Sequence, residues 1–241
     1  MLPLLPLLSA LSLSSLGGCV YEPTLITLTG RVVDAPSEDA DGISSAAVES
    51  LDYSFAPVDS DETDGRGSFQ VQVYANNNMY FEVSAQGYGT TGFAGFAPGL
   101  DTAIDDGLVW MQSEETLAEL DNSFGDCAQQ GGALIEGVIR LGVQGYSPEE
   151  GDWPLSTTGF ATAYDSAGNS YPACYLSDVG AYDPEAVETG NSGRFAIYGA
   201  PTGPVTLQAG YRVEDSEVVQ DFYLYVPEDG VVSLYSVVLY L

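Results

Sequence analysis

The stretch GSFQVQVYA (67–75) puts Phe69, Val71 and Val73 on one side of the chain and Gln70 and Gln72 on the other. A period of two suits a half-buried strand and cannot sit still as a helix. The same character runs through LITLTGRVVDA (25–35), MYFEVSAQGY (79–88) and DGLVWMQ (106–112). Clusters of Gly, Asp, Asn and Pro separate these runs at regular intervals. That combination predicts an all-β chain of antiparallel sandwich type. One helix is expected, a short one in SEETLAELD (113–121), with Ser113 as its cap and acids in its first turn.

The second half of the chain replays the first. LTGRVVDA is answered by IEGVIRL, DGRGSFQVQV by GNSGRFAIYG, YFEVSAQGY by VTLQAGY, and DGLVWMQ by DGVVSLYSVVLYL. Phe69 lies 19 positions before Tyr88, and Phe195 lies 16 before Tyr211. A repeat of this size predicts two copies of one module rather than one large sandwich. The first β-sandwich is expected over 27–111, a polar linker over 112–132 and the second β-sandwich over 133–241. Phe69 and Phe195 should then occupy matching core positions. A single continuous sheet running through both halves would refute two separate sandwiches.

The residues GRVVDA, ISSAAVESL, DGRGSFQVQV and YFEVSAQGY resemble the carboxypeptidase regulatory-like domain, a transthyretin-like and immunoglobulin-like β-sandwich. Gly30, Val32, Ala46, Val48, Gly65, Gly67, Phe69, Gly87 and Tyr88 carry the likeness in the first half. Gly137, Ile139, Ala161, Ala163, Gly193, Phe195, Gly210 and Tyr211 carry it in the second, where GVQGYSPEEGDWPLSTTG is inserted after the opening strand. These positions are turns and core sites. The resemblance therefore implies a fold and no activity.

Before the first module stands MLPLLPLLSALSLSSLGGC, an apolar run without a charged side chain. Pro3 and Pro6 and a length short of the roughly 20 residues of a bilayer span fit a secretory leader better than a transmembrane helix. Leu16-Gly17-Gly18-Cys19 resembles the lipobox of bacterial lipoproteins. It implies a signal peptide over 1–18, diacylglycerol attachment at Cys19 and a tether over 19–26. An ordinary signal peptide with a chance cysteine is the alternative. The n-region departs from the pattern in having no Lys or Arg. With Cys19 lipidated, Cys127 and Cys174 remain, and an even pair in an oxidising compartment reads as a disulfide. Two buried thiols are the alternative.

Charge and missing residue types narrow the function. The formal net charge is −30, from 35 acids against five arginines, with no lysine and no histidine. Such a surface repels nucleic acid and anionic lipid headgroups. With aromatics at 11%, the chain is a folded core with an acidic skin, not a solvated tail. Without histidine or lysine, the Ser-His-Asp, Cys-His and Ser-Lys arrangements are all excluded. Ser192 in GNSGR is superficially like a protease serine, but no base exists to activate it.

Two acidic stretches have oxygen ligands at spacings that suit Ca²⁺: DSDETDG (Asp59, Asp61, Asp64) and SEDADG (Glu38, Asp39, Asp41). A solvated hairpin turn is the competing reading of each. In the C-terminal strands, Tyr223 and Tyr225 share one face, and Phe222, Leu224 and Val226 the other. The tyrosines suit sugar stacking, a partner protein, or packing against the first module. The chain reads as a lipid-anchored envelope protein, periplasmic or at the cell surface. Its expected role is that of a non-catalytic binding, spacer or scaffold module, without a cofactor unless Ca²⁺ binds. A Ca²⁺-assisted carbohydrate-binding protein is the first alternative. A carboxylate-based hydrolase, needing two facing carboxylates, is the second.

Overall fold

A computed structural model describes residues 24–35, 39–97, 99–124, 127, 132–142, 154–177, 182–213, 216–228 and 230–240. The leader with Cys19, together with Glu38 and most of the inserted loop, lies outside the described residues.

Seven strands build the first half: β1 (Leu25–Val33), β2 (Ala47–Leu51), β3 (Pro57–Glu62), β4 (Ser68–Tyr74), β5 (Asn77–Ser84), β6 (Thr91–Ala97) and β7 (Thr102–Trp110). Helix α1 (Glu114–Phe124) follows. The second half holds β8 (Ala133–Gly142), β9 (Gly159–Asp165), β10 (Ser170–Pro172), β11 (Cys174–Leu176), β12 (Tyr182–Asp183), β13 (Arg194–Ala200), β14 (Gly203–Val213), β15 (Ser216–Val226) and β16 (Val231–Tyr240).

The repeat in the sequence is a repeat in strand register. In the first half one sheet has the order β4-β1-β7, and the facing strands run β6-β5-β2-β3. In the second half β13-β8-β16 stands for the former and β15-β14-β9-β10 for the latter. Gly30 pairs with Phe69 on the first opening strand, and Gly137 with Phe195 on the second. At Gly137 a Cβ would come within 2.8 Å of the Phe195 ring, so the glycine leaves room for the aromatic that crosses it. The turn before each phenylalanine closes the same way. Gly67 donates to the Asp64 carbonyl at φ 79°, and Gly193 to the Gly190 carbonyl at φ 64°. Left-handed backbone at both sites explains the glycine two residues ahead of each ring.

Each half encloses its own core. Leu28, Val32, Phe69, Val71, Phe81, Val83 and Met111 pack in the first, and Ile135, Ile139, Phe195, Ile197, Leu207 and Leu224 in the second. The alternation that marked the strands is the alternation between core and solvent.

Among the described residues three pairings are parallel, and this differs from the antiparallel expectation. β7 runs parallel to β1, and β16 parallel to β8. The last strand of each half returns beside the first, and a strand that closes a sandwich this way runs in the opening strand's direction. The third parallel pair is β16 with β6, through Val231 to Thr91 and Val232 to Gly92. It fuses strands of both halves into one nine-stranded sheet. This shared sheet corrects the expectation of two separate sandwiches: each half keeps its own core, but one sheet runs through both. Two facing edges, each with unpaired backbone groups, satisfy one another.

Helix α1 starts where the sequence predicts. The Thr116 amide donates to Ser113 Oγ at 3.1 Å, and Glu114 and Glu115 occupy the first turn. The helix lies on the second half, with Leu117 against Leu134, Ala196 and Val231 on the outer face of the β8 sheet.

Candidate functional site

The acidic stretch DSDETDG works on the backbone of its own half. Asp59 Oδ2 accepts from the Gln72 amide at 2.9 Å, and Asp61 Oδ2 from the Gln70 amide at 2.8 Å. Two carboxylates of β3 thus satisfy amides of β4 in the other sheet and close that side of the sandwich. Asp64 Oδ1 accepts from the amides of Ser68 and Arg66 in the glycine turn. Those two bonds hold the Asp64 carboxyl below its ordinary value. The three side chains thus point to three different backbone tasks. Of the other stretch, Asp39 and Asp41 lie in the loop after β1. Among the described residues no three metal-ligating side chains gather in one place.

Thr63, inside the same stretch, is a latch that sequence reasoning passed over. It is buried, accepts from the Ala46 amide at 2.8 Å and donates to the Ile43 carbonyl at 2.7 Å. Thr189 repeats this in the second half, accepting from the Gly159 amide and donating to the Ser156 carbonyl. Both threonines stand six residues before the core phenylalanine. That shared spacing, TDGRGSF against TGNSGRF, is the signal that could have found them.

Cys127 and Cys174 form the expected disulfide, with Cα atoms 6.1 Å apart. It ties the chain just beyond α1 to β11. Cys127 packs on the same outer patch as Leu117, Tyr182 and Tyr198. Near this patch Gln112 donates through Nε2 to Glu136 Oε1. Burial, with Glu136 nearby, pushes the Tyr182 phenol up to about 12. Ser192 donates to the Leu176 carbonyl and accepts from the Arg194 amide, so its hydroxyl organises a turn.

The most elaborate non-core chemistry lies where the halves meet. Gly92 touches both: a Cβ there would come within 2.9 Å of the Tyr225 carbonyl and 3.1 Å of Pro227 Cδ and Val232 Cγ2. Beside it the β2–β3 turn carries Phe55 at φ 62°, left-handed backbone that a bulky side chain rarely adopts. Asp52 holds that turn. Its Oδ1 accepts from the amides of Ser54 and Ala56 and from Ser54 Oγ. Desolvation is the largest single influence on its carboxyl and pushes the pKa up, but the bonds from the Ser54 hydroxyl and the two amides together outweigh it and lower the pKa. The turn inserts the Phe55 ring between Tyr80 of the first half, 4.7 Å away, and Tyr225 of the second, 5.2 Å away. Tyr225 therefore packs across the joint, while Tyr223 and Tyr53 remain exposed beside it.

Glu49 and Glu82 lie directly opposite one another on β2 and β5, on the outer face that carries Tyr80. Burial, reinforced by the Glu49 charge, raises the Glu82 pKa. This pair is a facing set of carboxylates on an open sheet face. Around Arg212 a second charged group forms, with Glu217 at 3.0 Å, Glu188 at 3.2 Å and the Phe160 ring beneath the guanidinium.

No family model matches this chain, and no curated protein matches it. Solved structures do. The Bacillus anthracis TIE protein aligns over 88% of this chain and 34% of its own at 13% identity, with a TM-score of 0.29. The chain thus spans about a third of that protein. The shaft pilin SpaA of Lactobacillus rhamnosus GG aligns over 89% of this chain and 98% of its own, at 11% identity and a TM-score of 0.28. BcpA, the major pilin subunit of Bacillus cereus, aligns over 89% and 99% at 8% identity and a TM-score of 0.30. At such scores these likenesses carry no argument about function.

Proposed function

We propose that this chain is a non-catalytic spacer or scaffold module of the cell envelope, exported and held on a membrane through a lipid on Cys19. The observation that carries the reading is the joint. A strand pair runs across it, Gly92 lets the two backbones close in, and Phe55 fills the gap between Tyr80 and Tyr225. Flexible tethering between two binding modules needs none of these devices. A part whose two ends must keep a fixed spacing needs all of them. Among the described residues no helix is long and apolar enough to cross a membrane, and a lipid would supply the hold. The experiment is a pair of spin labels, one on each half of the full chain. A narrow distance distribution is expected, and a broad one would overturn the spacer reading. Mass spectrometry of the membrane-extracted protein should show a mature chain starting at an acylated Cys19, and Cys19→Ser should release it.

The exposed Tyr53 and Tyr223 beside the Phe55 wedge favour a second reading, carbohydrate binding at the joint, with or without Ca²⁺. A glycan array probed with and without calcium tests it. The carboxylate-hydrolase alternative rests on Glu49 and Glu82, and loss of any hydrolytic activity in Glu82→Gln would be its signature.

A further inference from the structure

The sheet edges of this molecule are treated unequally. β3 starts at Pro57, and its Asp59 and Asp61 reach across to cap the β4 edge. β10 is three residues long and ends at Pro172, and β12 is two residues long. β7 carries a register break against β1. β6 is covered by β16. These are the ordinary ways of blunting an edge: proline, shortness, irregularity, acidic side chains or a cover.

Along its first two thirds β15 has no proline, no break and, among the described residues, no cover, and of these devices it carries only the acids Glu217 and Asp221. It pairs with β14 without a break for eleven residues, from Ser216 opposite Val213 to Val226 opposite Gly203. Ser216–Asp221 are all exposed, and so is Tyr223. Among the described residues no strand pairs with its other edge. Within the repeat, β15 stands where β6 stands in the first half. β6 is the edge that accepts β16, so this chain already shows a strand docking on an edge of this class.

We infer that the free edge of β15, over Ser216–Tyr223, accepts an extended segment of a partner protein by strand addition, and that this segment carries basic side chains alternating with aliphatic ones. Backbone pairing would supply the affinity and the side chains the choice of partner. Glu217, Val219, Asp221 and Tyr223 alternate along one face of β15. A docked strand would set its own side chains beside theirs. Lysine or arginine suits Glu217 and Asp221, and a branched aliphatic side chain suits Val219. Arg212, already held by Glu217 and Glu188, is one of only five arginines in a chain of net charge −30. The same charge opposes pairing of β15 with β15 of a second copy. The inference does not depend on the rigidity of the joint or on the lipid at Cys19.

The test uses the full chain and an eight-residue peptide of alternating lysine and valine. Binding is read by fluorescence anisotropy, and its place by hydrogen exchange. Saturable binding is expected, with new amide protection confined to Ser216–Tyr223. The same peptide N-methylated at every inner residue keeps the charges and loses the donors, and it should bind at least about tenfold more weakly. A glutamate–valine peptide should not bind, and Asp221→Lys should weaken the lysine peptide about fivefold or more. Equal binding of the N-methylated peptide would reduce the effect to ionic attraction and overturn the inference. So would absence of binding, protection elsewhere, or concentration-dependent protection of Ser216–Tyr223 without peptide, which would make a second copy the occupant.

Discussion

The Phe55 ring lies 5.2 Å from the ring of Tyr225, 170 positions further along the chain and in the other half of the molecule. The contact is made by a residue in left-handed backbone, which costs a side chain of this kind about 1–2 kcal/mol. Ring contacts with Tyr80 and Tyr225, each worth about 0.5–1.5 kcal/mol, offset that strain. Phe55→Ala keeps the Cβ, and with it the strain, but loses both ring contacts, so it should cost about 1–3 kcal/mol and widen the distance distribution between the halves markedly. Spin-label distances in the wild type and the variant check this, and an unchanged width would remove Phe55 from the joint.

Phe69 and Phe195 are both buried at equivalent places in separate cores. Truncating either to alanine should cost about 3–5 kcal/mol. Because the cores are distinct, hydrogen exchange should locate the loss mainly in the half that carries the substitution. Equal loosening of both halves would indicate one cooperative unit.

The threonine latches should be nearly as sensitive as the rings. Thr63→Val and Thr189→Val keep the shape and leave a buried amide and a buried carbonyl unpartnered. Each should cost about 1–3 kcal/mol in denaturant unfolding. Thr63→Ser, which keeps the hydroxyl, should recover most of that.

The disulfide between Cys127 and Cys174 spans a sequence separation of 47. In the chain-entropy account a closed loop of that size stabilises by about 4 kcal/mol. Reduction, or the double substitution to serine, should lower the melting temperature. Leu117 should then lose protection from exchange first, since the bridge anchors the chain just beyond α1.

Acid titration should separate two kinds of carboxylate. Asp64 has its pKa lowered from an ordinary 3.8, so its stabilising bonds are present above that value and are lost as pH falls through the folded pKa. Glu82 has its pKa raised from an ordinary 4.5, so the fold favours its neutral form, and ionisation weakens the fold as pH rises through the raised value. Glu82→Gln should raise the melting temperature near neutrality, with the gain shrinking as pH falls towards the Glu82 range. Asp64→Asn should lower the melting temperature near neutrality, with a smaller loss under acid. Melting curves of the three proteins across this range decide both signs.

The strands, their alternation and the likeness of the two halves were legible in residue order alone. Those depend on side-chain period and turn residues, which are local and survive in each copy: Gly67 and Gly193 need left-handed backbone wherever the chain goes. The sequence also indicated the pairing of Cys127 with Cys174, because with export expected and Cys19 expected to carry a lipid, two cysteines are left to form one bridge. The tasks of Asp59 and Asp61 were decided by the tertiary structure. A carboxylate on a turn looks alike whether it meets a cation or an amide, and only the position of β4 supplied the amides of Gln70 and Gln72. The joint was decided there too. Thr91 meets Val231, and Phe55 meets Tyr225, through surfaces that exist only once both sandwiches have closed. No periodicity links residues so far apart, and unpaired edges name no partner until folding sets two of them side by side.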